Sequence, residues 1–287
     1  MIKYNPKIWL KHIFKFYKSD TLKILLPEII LMGTYTGVIC YIELNYSSNL
    51  SYFKNAISMH TMVGFVLSLL LVFRTNTAYD RWWEGRKLWG QLVNVSRNAA
   101  IKCHNMIKDD KANETLKKYI SAFPVILKDH LLKRSNTPYI EEIMERNDVL
   151  VHNPSFLVNK IYAVLNDQLK KNEISQEQFM ILDKEFSQYL EITGACERIK
   201  NTPIPFSYSI FIKKFIFIYC FTLPIGLVPD FYYWSVPFSM FIFYVLVSIE
   251  ILAEEVEDPF GDDENDLPME EFSQRIKANV NEIMHNN

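Results

Sequence analysis

The sequence contains little glycine and proline, and its cysteines do not form motifs. Eight glycines and twelve prolines among 287 residues argue against collagen-like repeats and long low-complexity linkers. The four cysteines are isolated, without the spacing of zinc-binding or redox motifs. The formal net charge of −2 gives no reason to expect a nucleic-acid partner.

Signatures of catalysis are also missing. No histidine pair has the spacing of an HExxH zinc motif, and the sequence has no glycine-rich phosphate loop. Nucleophilic catalysis has no local signature either. The sequence therefore predicts a protein that is not an enzyme and has no cofactor. The six histidines are His12, His60, His104, His130, His152 and His285.

Apolar residues, in contrast, are abundant and occur in long runs. Hydrophobic residues make up 49% of the chain and aromatic residues 14%, yet 22% of the residues are charged. Residues 24–42, 57–73, 204–228 and 232–253 each approach the roughly 20 residues that a helix needs to cross a bilayer. We therefore predict an all-α membrane protein with four transmembrane helices and a large helical region outside the membrane.

The charges of the loops predict the orientation in the membrane. Six lysines precede the first apolar segment, and Arg74, Arg81 and Arg86 follow the second. The loops after the first and third segments hold one cation in total, Lys54. Positive charge favours the cytoplasmic side, and arginines with neighbouring tryptophans suit the headgroup boundary. Both termini are thus expected in the cytoplasm, in a multi-pass protein of the cell inner or plasma membrane.

The chain is expected to have four regions. Residues 1–80 hold an amphipathic interfacial helix and the first two spans, and residues 81–203 form a cytosolic helical region. Residues 204–256 hold the third and fourth spans, and residues 257–287 form an acidic cytosolic segment.

Apolar residues at helical spacing indicate amphipathic helices in the cytosolic region. Asn153 is expected to cap the helix that begins at Pro154. The apolar faces consist of Leu88, Leu92 and Val95; Leu116, Ile120, Phe123 and Leu127; Leu157, Ile161, Val164 and Leu165; and Phe179, Leu182, Phe186, Tyr189 and Leu190.

Phe65, Leu69 and Phe73 recur at every fourth residue of the second apolar segment. This spacing places three bulky side chains along one face of a helix, one turn apart. Such a stripe usually contacts lipid or the protein core. If the helix lined a pore, the same stripe would form an apolar constriction that gates by dewetting. The spacing alone leaves both interpretations open.

A run of carboxylates follows the fourth apolar segment. Clustered carboxylates bind Ca²⁺ through several oxygens, but the spacing here is not that of an EF-hand loop. A solvated acidic turn after a membrane helix is the more common explanation of such a run.

Three segments of the chain resemble one family of membrane channels. The segments FRTNTAYDRWWEGRKLWGQLVN (73–94), CERIKNTPIPFSY (196–208) and EDPFGDDENDLP (257–268) are similar to the bacterial branch of the bestrophin family. Their order and spacing match along nearly the whole chain. The resemblance implies a homopentamer in the lipid bilayer, with four membrane helices per subunit around one central pore for small ions.

The resemblance also implies roles for single residues. Phe65, Leu69 and Phe73 match the neck of the family's pore. Ile204 matches the apolar aperture at the cytosolic exit, and Ile199 is the alternative if the alignment slides.

The resemblance implies a passive ion channel, with chloride and related anions as the permeant ions. Some bacterial members instead pass monovalent cations such as Na⁺, so this alternative stays open. Animal members bind Ca²⁺ at the acidic segment that corresponds here to Asp262, Asp263 and Asp266, although bacterial members are not generally gated by calcium. A different class of function, a membrane-anchored signalling or scaffold protein, would use the helices of residues 81–198 to bind a partner.

Overall fold

The computed structural model describes residues 21–46, 56–134, 152–263 and 265–285. These residues form eight α-helices and one short 3₁₀ helix and contain no strand, which confirms the prediction of an all-α protein. The helices are α1 (Thr21–Tyr46), α2 (Ala56–Met106), α3 (Asp110–Leu131), α4 (Asn153–Lys170), α5 (Gln176–Asn201), α6 (Phe206–Phe231), α7 (Ser235–Glu257) and α8 (Met269–Ile283). The amphipathic helix predicted before the first span lies outside the described residues.

Three stretches of the described chain are long and apolar enough to cross a membrane. They are α1, α2 and the stretch Phe206–Glu257, which contains both α6 and α7. Helix α6 ends where Tyr232 adopts a positive φ of 52°, with a ψ of −132°. A 3₁₀ helix, Tyr232–Trp234, then leads directly into α7. The loop predicted between the third and fourth apolar segments is therefore this tight turn.

The described chain divides into two compact units. The first unit extends to Arg81 and also includes Pro203–Asp258 and Asp263–Asn265. Within it, α1 packs against α7 and α6, which also contact each other. Van der Waals packing of their side chains holds these helices together. The core residues are Met32, Leu67, Leu71, Ile212, Ile216 and Cys220.

Helix α2 is 51 residues long and contains no proline. At about 1.5 Å per residue it extends for roughly 77 Å, more than twice the thickness of a hydrocarbon layer. The chain passes from the first unit to the second between Arg81 and Trp82, without a break in this helix. The second apolar segment and the first cytosolic helix of the sequence analysis are thus one continuous helix.

The second unit contains Trp82–Thr202, Pro259–Asp262 and Asp266–Asn287. Helix α3 packs against α8, α4 and α5, and α4 packs against α5. The predicted apolar faces form its core, and Leu116, Ile120, Phe123 and Leu127 are all fully buried. Leu190 was wrongly included in the face of α5, because it lies about 100° around the helix from the buried Tyr189 and is exposed.

The N-cap of α4 differs from the prediction. His152, and not Asn153, caps the helix, because the Nδ1 atom of His152 accepts a hydrogen bond from the backbone N–H of Ser155 at 3.2 Å. Asn153 and Pro154 occupy the first turn, where proline is tolerated because its missing N–H needs no partner.

Candidate functional site

The stripe of Phe65, Leu69 and Phe73 is not packed within its own unit. The three side chains are 72%, 47% and 56% exposed, respectively. The opposite face of α2 is buried and includes Leu67 and Leu71 of the core. Four residues along a helix correspond to a rise of about 6 Å and a rotation of about 40°. The three side chains therefore form a continuous apolar stripe on the free face of α2.

Polar residues continue this stripe at both ends. At helical spacing, the apolar Met62 and then Ser58 precede Phe65 on the same face, and Asn76 and Asp80 follow Phe73. All of these side chains are exposed. From Ser58 to Asp80 the stripe measures roughly 33 Å, which is close to the thickness of a hydrocarbon layer. The face is thus apolar in its middle and polar at both ends.

Arg74, the residue after the stripe, points to the opposite face of α2. The prediction that its guanidinium lies at the headgroups is wrong, because the side chain is only 1% exposed. Two carboxylates of α7 explain its burial. The Nη1 atom lies 2.7 Å from Oε2 of Glu257, and Nε donates a hydrogen bond to Oε1 of Glu250 at 3.5 Å. The contact with Glu257 is therefore an ion pair.

Glu257 also binds the backbone of Ile204, the residue that resembles the cytosolic aperture of the family's pore. Its Oε1 atom accepts a hydrogen bond from the backbone N–H of Ile204 at 2.6 Å. Arg81 donates to the backbone carbonyl of the same glutamate at 3.1 Å. One residue at the end of α7 thus connects α2 with the backbone just before α6.

The two candidates for the aperture differ in their burial. Ile204 is half-buried. Ile199 is fully packed in the core of the second unit. A side chain that meets passing ions must reach solvent, so burial favours Ile204. Its role as the aperture stays a prediction.

The acidic segment is divided between the two units. In the second unit, Asp262 accepts two hydrogen bonds from Nη2 of Arg134, at 3.0 and 2.8 Å, and Asp266 is buried against Gly261. In the first unit, Asp263 is exposed. Arg134 neutralises one of the predicted Ca²⁺ ligands. The Ca²⁺ site at these three aspartates stays a prediction.

One cluster of potential metal ligands was missed by the sequence analysis. His130, His152 and Glu197 offer ligand atoms that all lie within 4.8 Å of one another. Within the described parts of the chain, this is the group of three histidine, cysteine or acidic residues whose ligand atoms meet. The three positions are 22 and 45 residues apart and belong to different helices, so no local motif announces them.

The cysteines do not add to this cluster. All four are buried and none forms a disulfide. Burial raises the pKa of the Cys196 thiol to about 12, and the carboxylates of Glu197 and Glu84 contribute to the rise. The thiol is therefore protonated at neutral pH.

Comparison with known proteins identifies relatives along the whole chain. The family model described as bacterial and fungal bestrophin protein matches residues 1–282. A voltage-dependent anion channel-forming protein of Mesorhizobium japonicum is 31% identical over 98% of this chain and 91% of its own length. A protein with the same description from Nostoc is 34% identical over 76% of this chain and 74% of its own length. The crystal structure of a bacterial bestrophin homologue from Klebsiella pneumoniae aligns with a TM-score of 0.81 and 24% identity, over 92% of this chain and 99% of that one.

Proposed function

The chain belongs to the bacterial and fungal bestrophin family, and we propose that it forms a homopentameric channel for the passive flow of small anions such as chloride. The descriptions of its relatives as anion channel-forming proteins favour anions over Na⁺. Passive flow needs no turnover chemistry, in agreement with a sequence that lacks catalytic motifs.

The free apolar face of α2 is the observation that carries this proposal. A bulky stripe that is 47–72% exposed in one subunit needs another environment in the assembled protein. Five copies of α2 around an axis would place each stripe residue in one ring of five side chains, so that three rings follow one another along a pore. The polar residues at both ends of the stripe would then lie at the two mouths, in water, and the apolar middle would form the neck.

Such a neck restricts ions without binding them tightly. Apolar rings impede flow because water leaves a narrow apolar constriction easily. The edge of a phenylalanine ring carries partial positive charge, so Phe65 and Phe73 would attract a passing anion if their edges face the axis. Weak attraction of this kind allows an ion to enter and also to leave.

Glu257 supports the neck and the aperture together. Its carboxylate contacts Arg74, which directly follows the neck residue Phe73, and it also holds the backbone of Ile204. We propose that this glutamate fixes the spacing between the two constrictions of the pore. Glu257 acts on ions through these neighbours, not by contact with them.

The topology of this channel follows the loop charges. We propose that α1, the apolar half of α2, α6 and α7 are the four spans, with the turn at Tyr232–Trp234 outside the cell and both termini in the cytoplasm. The regions 1–80, 81–203, 204–256 and 257–287 then alternate between membrane and cytosol as expected from the sequence.

Reconstitution into planar bilayers tests the proposed function. In a tenfold gradient of NaCl, an ideally anion-selective channel shifts the reversal potential by about 59 mV towards the chloride equilibrium, and a cation channel shifts it equally with the opposite sign. Replacement of chloride by gluconate on one side should then move the potential only if anions carry the current.

Two results would contradict the proposal. A reversal potential at the sodium equilibrium would establish the cation channel. Absence of conductance, together with a monomer by mass measurement, would favour the membrane-anchored scaffold.

A further inference from the structure

Three side chains from three helices of the second unit converge on one point. His130 lies in the last turn of α3, His152 caps α4, and Glu197 lies near the end of α5. The two Nε2 atoms lie 2.6 and 2.8 Å from the same carboxylate oxygen, Oε1 of Glu197. The imidazole centroids are 4.8 Å apart, and all three residues are half-buried. Two partly exposed imidazoles thus share one carboxylate oxygen.

Two arginines next to this cluster in the sequence form ion pairs with carboxylates other than Glu197. Arg198, the next residue of α5, pairs with Glu84. Arg134, one turn after His130, pairs with Asp262. Glu197 therefore faces two imidazole nitrogens, while these two arginines contact other carboxylates.

The ligand types and distances suit a transition-metal ion. Zinc binds histidine nitrogen and carboxylate oxygen at about 2.0–2.2 Å, so ligand atoms around one tetrahedral ion lie roughly 3.3 Å apart. The two N···O separations of 2.6 and 2.8 Å would need to open by about 0.5–0.7 Å to admit the ion. Two histidines and one glutamate are a known zinc ligand set, with water at the fourth position. The C-terminal poles of α3 and α5 favour a cation at this point, whereas the N-terminal pole of α4, which His152 caps, opposes it.

We propose that His130, His152 and Glu197 bind one divalent transition-metal ion per chain, such as Zn²⁺, and that the ion links α3, α4 and α5. This site is separate from the acidic segment and does not depend on the proposed channel function.

The proton positions predict a local consequence of binding. The Nδ1 atom of His152 accepts the N–H of Ser155, so the ring proton is on Nε2, the nitrogen that faces Glu197. To bind a metal through Nε2, the ring must move that proton to Nδ1, and the hydrogen bond from Ser155 is then lost. Metal binding should therefore loosen the first turn of α4 and speed hydrogen exchange at the amide of Ser155.

Cobalt titration of the full-length protein without a histidine tag tests the site. Tetrahedral Co²⁺ has strong visible absorption, so saturation should give one cobalt per chain, and Zn²⁺ should displace it. His130→Asn and Glu197→Gln should each weaken binding by about tenfold or more, since even the outer partners of metal ligands change affinity on that scale. His104→Asn is the matched control, because His104 is an exposed histidine outside the cluster, and it should bind cobalt like the unaltered protein.

A second measurement does not depend on the variants. X-ray absorption of the zinc-loaded, unaltered protein should reveal two imidazole ligands and oxygen ligands near 2.0–2.2 Å. Lack of saturable cobalt binding, cobalt bound only to exposed histidines so that His104→Asn weakens it as much as His130→Asn, or a zinc shell with fewer than two imidazoles would each overturn the site.

Discussion

The contact of Arg74 with Glu257 allows one prediction to be worked out in detail. Arg74 is almost completely buried between two carboxylates, and the side chain of Glu257 is itself only 12% exposed. Replacement of Arg74 by leucine would leave Glu250 and Glu257 buried without their cation. Removal of one partner of a buried ion pair costs about 3–5 kcal/mol of unfolding free energy, because the remaining charge is uncompensated.

Glu257→Gln should cost less than Arg74→Leu. Arg74 would keep Glu250 at 3.5 Å, and the amide oxygen of glutamine can still accept the hydrogen bond from Ile204. We expect a loss of about 1–3 kcal/mol for the charged interaction. The double variant should be more stable than Arg74→Leu alone, because it removes one of the two orphaned carboxylates.

Glu254→Gln is the matched control for this series. Glu254 lies one turn before Glu257 on α7 and pairs with Lys213 at 2.8 Å, but its side chain is 58% exposed. An exposed pair contributes about 1 kcal/mol or less. Thermal unfolding in detergent measures the series, since each kcal/mol corresponds to roughly 2–4 °C for chains of this size class. Equal losses for Glu254→Gln and Glu257→Gln, or a loss below about 1 kcal/mol for Arg74→Leu, would refute the importance of burial.

Three further predictions concern the second unit. Ser175→Ala should lower the unfolding free energy by about 1 kcal/mol, because Ser175 and Gln178 form a capping box at the start of α5. Chemical denaturation measures this loss, and the control Thr115→Ala, inside α3, should change the unfolding free energy little. Because burial raises the pKa of Cys196 to about 12, a maleimide should label this thiol near neutral pH only after the protein unfolds. Mass spectrometry can detect the label, and labelling of the folded protein would contradict the burial of Cys196. A hydrogen bond from Lys128 lowers the pKa of Glu270 below its ordinary value of 4.5, so this pair stabilises the fold above pH 4.5 and ceases to do so as the pH falls through the lowered pKa. Glu270→Gln should therefore flatten the dependence of the unfolding free energy on pH in this acidic range. An unchanged dependence would count against the pair.

Much of the fold was predictable because apolar spacing decides burial. The faces that contain Leu116 and Ile120 in α3, and Leu157 and Ile161 in α4, are buried as their periodicity predicts. The continuity of α2 could not be predicted, because nothing in the sequence near Arg81 distinguishes a helix that ends from one that continues. The position of the turn at Tyr232 was predicted correctly. Its tightness was not, because Tyr232 itself adopts a positive φ, which a glycine at this position would have suggested from the sequence.

The polar contacts were less predictable than the fold. From the sequence, Arg74 is expected at the membrane boundary. Its partners Glu250 and Glu257 are 176 and 183 residues away, and only the packing of α2 against α7 brings them beside it. The cluster of His130 with His152 and Glu197 is likewise assembled only by the packing of three helices. Spacing in sequence contains no information on such distant pairs. For the predicted neck, the spacing of Phe65, Leu69 and Phe73 placed them on one face of a helix, and the structure adds that this face is exposed in the single chain.

Single-channel conductance of a neck variant tests the central claim most directly. The variant Phe65→Ala, Leu69→Ala and Phe73→Ala widens the proposed neck, whereas Phe217→Ala with Phe241→Ala removes two rings that are each 65% exposed on α6 and α7. If the free face of α2 surrounds the ion path, the neck variant should conduct more chloride than the unaltered channel, and the control should not. Equal conductance in all three proteins would contradict a pore lined by this face.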